Sequence, residues 1–255
     1  MCDIYSEIQD KLCEIEKKEQ VRILHAVESG SRAWGFASPD SDYDVRFVYV
    51  RRSDDYLRLN PSKDVIEWQL DEVLDINGWD LKKALIQFHR GNATLFEWSN
   101  SPIIYRTTEA WNHIYEQAKA YFSIKSAIYH YYGTANSTCQ QYLQSDEIKY
   151  KKYFYALRPL LACRYVEEYQ CPPPVLFDEL MKIPLDDGVR TEIEYLLEKK
   201  KQTEEQDLNP RIPRIDQFIS SELERQKRLS DQMKDDRTED WEPLDRIFKE
   251  ALGRS

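Results

Sequence analysis

The strongest constraint on the fold is a change of hydrophobic period along the chain. Between Val21 and about residue 110, short β-branched runs alternate apolar with polar positions; from about Trp111 onward apolar residues recur every three to four positions. Period two builds half-buried strands and period 3.6 builds amphipathic helices. The expected class is α+β, in two domains spanning 1–110 and 111–255, because 255 residues suffice for two modest cores.

The first part opens with a helix, since Ile4, Ile8, Leu12 and Ile15 fall on one face. Val21 to Val27 alternates and runs into Glu28-Ser29-Gly30-Ser31, a strand ending in a tight turn. The loop Ser38-Pro39-Asp40-Ser41 leads to a second strand, Tyr43 to Val50. Val65–Leu70 and Glu72–Ile76 are further strands, with Gly78 expected to end the latter. Asp80 then caps a helix that turns Leu81, Ala84, Leu85 and Phe88 inward and stops at Gly91. In the second part, breaks are expected near Gly133, at Cys171-Pro172-Pro173-Pro174 and at Pro184. From Arg190 the charged stretch keeps Ile193, Leu196, Leu197, Phe218, Ile219 and Leu223 at helical intervals and reads as surface helices. No repeat of 20 to 50 residues is visible.

Composition narrows the function. Against 36 basic residues stand 46 acidic ones, a net charge of -10, which disfavours a large nonspecific nucleic-acid surface and leaves room for a small basic groove. No apolar run approaches the roughly 20 residues of a membrane span, and the N-terminus is acidic where a signal peptide is basic, so neither membrane insertion nor export is expected. Five scattered cysteines without a CxxC pair read as reduced thiols of a cytoplasmic protein. The four histidines lack metal spacing, so any metal here is expected to be oxygen-bound.

One segment carries chemistry: Ser29-Gly30-Ser31-Arg32-Ala33-Trp34-Gly35-Phe36, a polar loop, then Asp42-Tyr43-Asp44-Val45. With 46 acids in 255 residues a DxD alone is uninformative; its place at the start of a β-branched strand, after a Gly-Ser turn, is what adds information. Period two puts Asp42 and Asp44 on one face, roughly 6.5 to 7 Å apart along the strand. Such hard oxygen ligands suit two Mg²⁺ ions, with a third carboxylate from a neighbouring strand. Glu67, Asp71, Glu72 and Asp75 are the candidates; Asp75 is preferred because Leu74 and Ile76 flank it. Gly30 lets backbone amides approach a polyphosphate and Ser31 adds a donor. These are parts for transfer of a nucleotide from a nucleoside triphosphate such as ATP.

The same residues resemble the DNA polymerase beta-type nucleotidyltransferase superfamily. More narrowly, GSRAWGFASPDSDYDVRFVYV, DINGWDLKKAL, GNATLFEW, NSPIIY, KYFYALRPLLACRY and PPPVLFDEL resemble the nucleotidyltransferase family associated with RNA repair, from about residue 21 to about 181. The resemblance implies a small mixed β-sheet nucleotidyltransferase domain flanked by helices, a helical C-terminal domain, and Mg²⁺ dependence, with Mn²⁺ as substitute. It implies Asp42, Asp44 and Asp75 as catalytic metal ligands, and Gly30 and Ser31 on the triphosphate. The bulky Trp34 before Gly35 departs from the pattern, and the acidic C-terminal tail lies outside the resembling blocks.

Further candidates carry structural alternatives. Arg32 is favoured as a phosphate neutraliser; Arg46, on the face of Asp42 and Asp44, either neutralises phosphate or pairs with the aspartates. Lys82 and Lys83, in the first turn of a helix, are placed to reach phosphate or stay solvated. Asn92 is first a helix-stop residue, raised to a nucleotide-cleft candidate by the resemblance. Lys149, Lys151, Lys152 and Arg158 interleave with Tyr150, Tyr153 and Tyr155 as the candidate acceptor patch, represented by Lys149, Lys152, Tyr153 and Arg158. The acceptor is expected to be an RNA 3′ hydroxyl, a protein side chain or a small molecule; the rival expectation is a non-catalytic nucleotide-binding regulatory module of the same fold.

Overall fold

The structure, a computed structural model, describes residues 4–38, 41–70, 73–202 and 207–253. The β-branched runs form strands β1 (Arg22–Glu28), β2 (Tyr43–Val50), β3 (Val65–Leu70), β4 (Leu74–Asp80) and β5 (Ile104–Thr107). They pair in the order β3-β4-β2-β1-β5. Only β2 and β4 run parallel; the other three pairings are antiparallel, so the sheet is mixed.

Alternation sorts the side chains between two cores. Val45, Phe47, Tyr49, Leu74 and Ile76 face α1 (Ile4–Glu19), whose Ile8, Leu12 and Ile15 are fully buried. Leu24, Val27, Val48 and Val50 face α3 (Leu81–His89), α4 (Ala93–Ser99), α5 (Glu109–Ala118) and the last helix, Glu242–Ala251. β2 is therefore apolar on both faces over its second half, the signature of a central strand. Between β1 and β2 lies one short helical turn, α2 (Gly30–Ala33).

Gly78 does not end its strand. It sits inside β4 in register with Phe47, and a Cβ there would overlap the Phe47 ring. The glycine serves close packing on a core aromatic. Gly78→Ala is expected to cost about 1–3 kcal/mol of stability, measured by urea unfolding, with part of the loss recovered in the Phe47→Leu background.

The first unit comprises residues 1–34, 41–122 and 237–255, and the second 35–40 and 123–236. The division therefore lies at Phe122/Ser123 and not near residue 110. The period change marks the last strand of the five-stranded sheet, whereas Trp111, Ile114 and Ala118 of α5 still belong to the core of that sheet.

In the second unit α6 (Ile124–Tyr142) and α7 (Tyr150–Tyr169) pack together, followed by α8 (Phe177–Leu180), α9 (Asp187–Gln202) and α10 (Pro213–Gln232). Gly133 does not break α6, which passes through it unbroken. A two-stranded ribbon, β6 (Glu147–Lys149) with β7 (Leu208–Pro210), is too short for its period to show in the sequence. α7 ends before the proline run, with Gln170 at φ 55°.

His25, in β1, is buried and stacked on Trp111, with its ring nitrogens hydrogen-bonded to Thr107 Oγ1 and the Trp98 carbonyl. Burial pushes its pKa from 6.5 down to about 4. The unfolded chain binds this proton below pH 6.5 and the folded chain only near pH 4, so His25 removes stability as pH falls through that window. The loss approaches roughly 3 kcal/mol. Chemical unfolding at pH 4 to 7 is expected to show a shallower slope for His25→Gln than for wild type.

Candidate active site

β1 ends at Glu28, and the chain reverses at Ser29 and Gly30 to bring α2 against the start of β2. Gly30 sits at φ +61°, left-handed backbone that glycine adopts without steric cost. A Cβ on Gly30 would overlap Asp44 Oδ2, so the absence of a side chain there makes room for that carboxylate. The Ser29 N–H donates to the Asp44 carbonyl at 2.8 Å, tying the turn to β2.

Glu28 completes the tie. Its Oε1 accepts the Asp44 N–H at 2.8 Å, and its Oε2 accepts the Tyr105 hydroxyl at 2.5 Å. Burial pushes the Glu28 carboxyl up, while these two hydrogen bonds act in the opposite direction. In the sequence Glu28 stands only as the first residue of the turn Glu28-Ser29-Gly30-Ser31. The local signal is an acid directly after the apolar pair Ala26-Val27, and its partner Tyr105 lies 77 residues away.

Asp44 and Asp75 are neighbours across the parallel β2–β4 pair. Alternation puts both on the face opposite Val45, Leu74 and Ile76. Arg46 stands on that face between them: Nη2 donates to Asp44 Oδ1 at 3.1 Å and to Asp75 Oδ2 at 2.6 Å. Its Nη1 donates to the carbonyls of Val45 at 3.1 Å and Asp75 at 3.0 Å. Burial pushes the Asp44 carboxyl up; the Arg46 charge opposes this, and the charges of Asp75 and Asp42 add to it. Asp42 is exposed just before β2. Its carbonyl accepts Arg32 Nε at 3.0 Å, and the Arg32 guanidinium lies 3.7 Å from the centre of the Tyr43 ring. Arg32 thus braces the loop that carries Asp42.

Gly30, Ser31, Arg32, Asp42, Asp44 and Asp75 therefore gather at one end of the sheet, with Glu28 and Arg46 added. Lys82 and Lys83 do not join them. Asp80, in register with Tyr49, lies five residues along β4 from Asp75, roughly 17 Å at strand rise. At that far end Asp80 accepts the Lys82 N–H at 2.8 Å, and Lys83 pairs with Asp64 at 3.0 Å. The helix start is already capped by a carboxylate.

Asn92 is an N-cap: its Oδ1 accepts the Thr94 N–H at 3.0 Å. Glu67 is exposed on β3 opposite Asn77, while Asp71 and Glu72 lie outside the described residues. In the second unit, Lys152 stands 3.6 Å from the centre of the Tyr142 ring and Lys149 closes β6. Tyr153 and Arg158 are internal. The Tyr153 hydroxyl donates to Asp216 at 2.8 Å and accepts the Ile212 N–H at 3.0 Å, and Arg158 donates to the Val175 carbonyl. The expected acceptor patch is reduced at the surface, because two of its four members are structural ties.

Among the described residues no three acidic, histidine or cysteine side chains converge as a ready metal cage. The donor chemistry nonetheless fits a hard divalent cation. Two carboxylates sit side by side, the charge of a third, Asp42, is felt at Asp44, and a cationic group bridges the pair.

The profile of the RNA repair pathway DNA polymerase beta family (RlaP) matches residues 4–250. The match includes the acidic C-terminal stretch, which the resembling sequence blocks had left out. The uncharacterized protein YcgL of Bacillus subtilis (strain 168) is 42% identical over 246 residues, 94% of each chain. A nucleotidyltransferase-like protein from Exiguobacterium sibiricum 255-15 aligns over 99% of this chain and 81% of its own, at 12% identity and a TM-score of 0.31. Among the described residues no helix is long and apolar enough to cross a membrane.

Proposed function

This chain belongs to the RNA repair pathway DNA polymerase beta family, and from that premise we propose that it transfers a nucleoside monophosphate from a nucleoside triphosphate to a hydroxyl acceptor. The observation that carries the reading is the pairing of Asp44, which lies directly against Gly30, with Asp75 on the adjacent parallel strand. Asp42, Asp44 and Asp75 would hold Mg²⁺, with Mn²⁺ as substitute. When bound, such ions lower the pKa of an attacking hydroxyl and neutralise a pyrophosphate leaving group. Gly30 and Ser31 would meet the triphosphate, the glycine because nothing projects from it. Glu28 and Arg32 act at one remove: the first holds the Asp44 backbone and the second holds the Asp42 loop.

The acceptor is an RNA 3′ end, a protein side chain or a small molecule, and Lys149 and Lys152 are the surface candidates for contacting it. The second reading is a nucleotide-binding module without turnover. One observation favours it, namely that Arg46 engages the two carboxylates that a metal would need.

The test is incubation with each α-³²P nucleoside triphosphate, Mg²⁺ or Mn²⁺, and panels of RNAs, proteins and small hydroxyl compounds. Transfer by wild type and none by Asp42→Asn/Asp44→Asn supports the enzyme. Tight triphosphate binding without transfer supports the module.

A further inference from the structure

The Arg46 guanidinium makes four hydrogen bonds of two kinds. Nη1 donates to two backbone carbonyls, Val45 of β2 and Asp75 of β4. Nη2 is spent on two carboxylate oxygens, Asp44 Oδ1 and Asp75 Oδ2. The side chain is 19% exposed, so it can be only partly solvated if the carboxylates leave it. One positive charge thus lies between two negative ones, with Asp42 near enough to be felt at Asp44.

We propose that Arg46 and a divalent cation are alternative partners for the same oxygens, Asp44 Oδ1 and Asp75 Oδ2, so that Arg46 sets the free-metal concentration at which the site fills. The inference rests on the reading above that these acids hold metal. Without an ion, Arg46 offsets part of the repulsion between carboxylates brought together by strand pairing. Asp44 and Asp75 would hold an ion through the oxygens that Nη2 now occupies, with Nη1 still on its two carbonyls. The Nη2 N–H groups so released would be donors for an anion, and under the reading above that anion is a triphosphate.

The test is calorimetric titration of Mn²⁺ into wild type, Arg46→Gln and, as background, Asp44→Asn/Asp75→Asn. Arg46→Gln is expected to bind Mn²⁺ about tenfold more tightly than wild type, because a competing charge is gone. It is also expected to unfold at a lower temperature in EDTA and to recover with Mg²⁺. Equal or weaker Mn²⁺ affinity in Arg46→Gln overturns the inference and leaves the metal reading standing. Binding by wild type and Arg46→Gln no stronger than the background variant overturns the metal reading itself.

If Arg46→Gln does not fold, Mg²⁺ titration of wild type followed by ¹⁵N NMR of the arginine guanidinium groups decides the matter. The Arg46 resonance is assigned by its absence in Arg46→Lys. A shift that saturates with Mg²⁺ binding supports the exchange, and an unmoved resonance while Mg²⁺ binds contradicts it.

Discussion

Asp44→Asn is expected to abolish nucleotidyl transfer, by on the order of 10³-fold or about 4 kcal/mol of transition-state stabilisation, while leaving the protein at least as stable as wild type. The two halves of this expectation come from one environment. Asp44 touches both sides of the site: its carboxylate lies against Gly30 and accepts from Arg46, and its backbone is held by Glu28 and Ser29. The amide keeps the shape and the backbone ties but loses the charge a metal requires. Burial raises the folded-state pKa of this carboxyl, so above its unfolded pKa the ionised group costs stability, and the cost vanishes in the amide. Turnover beside thermal unfolding at pH 7 checks both halves. A variant that loses activity and stability together would make Asp44 a structural residue.

Gly30→Ala is expected to lose about 10²-fold in kcat/KM, the scale of a misplacement near 1 Å at a reacting centre. Two costs combine. Left-handed backbone at φ +61° is unfavourable to alanine by about 1–2 kcal/mol. The new Cβ would also overlap Asp44 Oδ2 and turn that carboxylate away from its place. Gly253 separates the two costs, for it has φ +70° with nothing within 4 Å of a built Cβ. Gly253→Ala therefore carries the backbone penalty alone and is expected to retain full activity. Steady-state kinetics of the two variants, with circular dichroism to verify folding, make the comparison.

What could be read in advance was whatever a local pattern writes. The β-branched and aromatic run Tyr43–Val50 marks a strand, and the Leu74/Ile76 flanks of Asp75 point to a carboxylate turned away from the apolar face; that the strand is central comes from the sheet order. The structure adds the register that makes Asp75 a neighbour of Asp44, and parallel pairing across 31 residues leaves no trace in either strand taken alone. Lys82 and Lys83 show the converse. A helix N-terminus attracts anions wherever it lies, and nothing in the helix tells which end of the sheet it starts from. Gly78 read as a stop because a glycine in a strand commonly marks one, yet its reason is the Phe47 ring on the next strand. Glu28 escaped notice for the same cause, since its carboxylate is explained only by Tyr105 and the Asp44 N–H.

The most direct test of the claim that the paired acids carry nucleotidyl transfer is to follow the two ends of the triphosphate together. With α- and γ-labelled triphosphate and Mg²⁺ in parallel reactions, wild type should release one labelled pyrophosphate for each α-label joined to acceptor. Asp44→Asn/Asp75→Asn should do neither. Release of γ-label as inorganic phosphate, or undiminished α-label transfer by the double variant, would contradict the account.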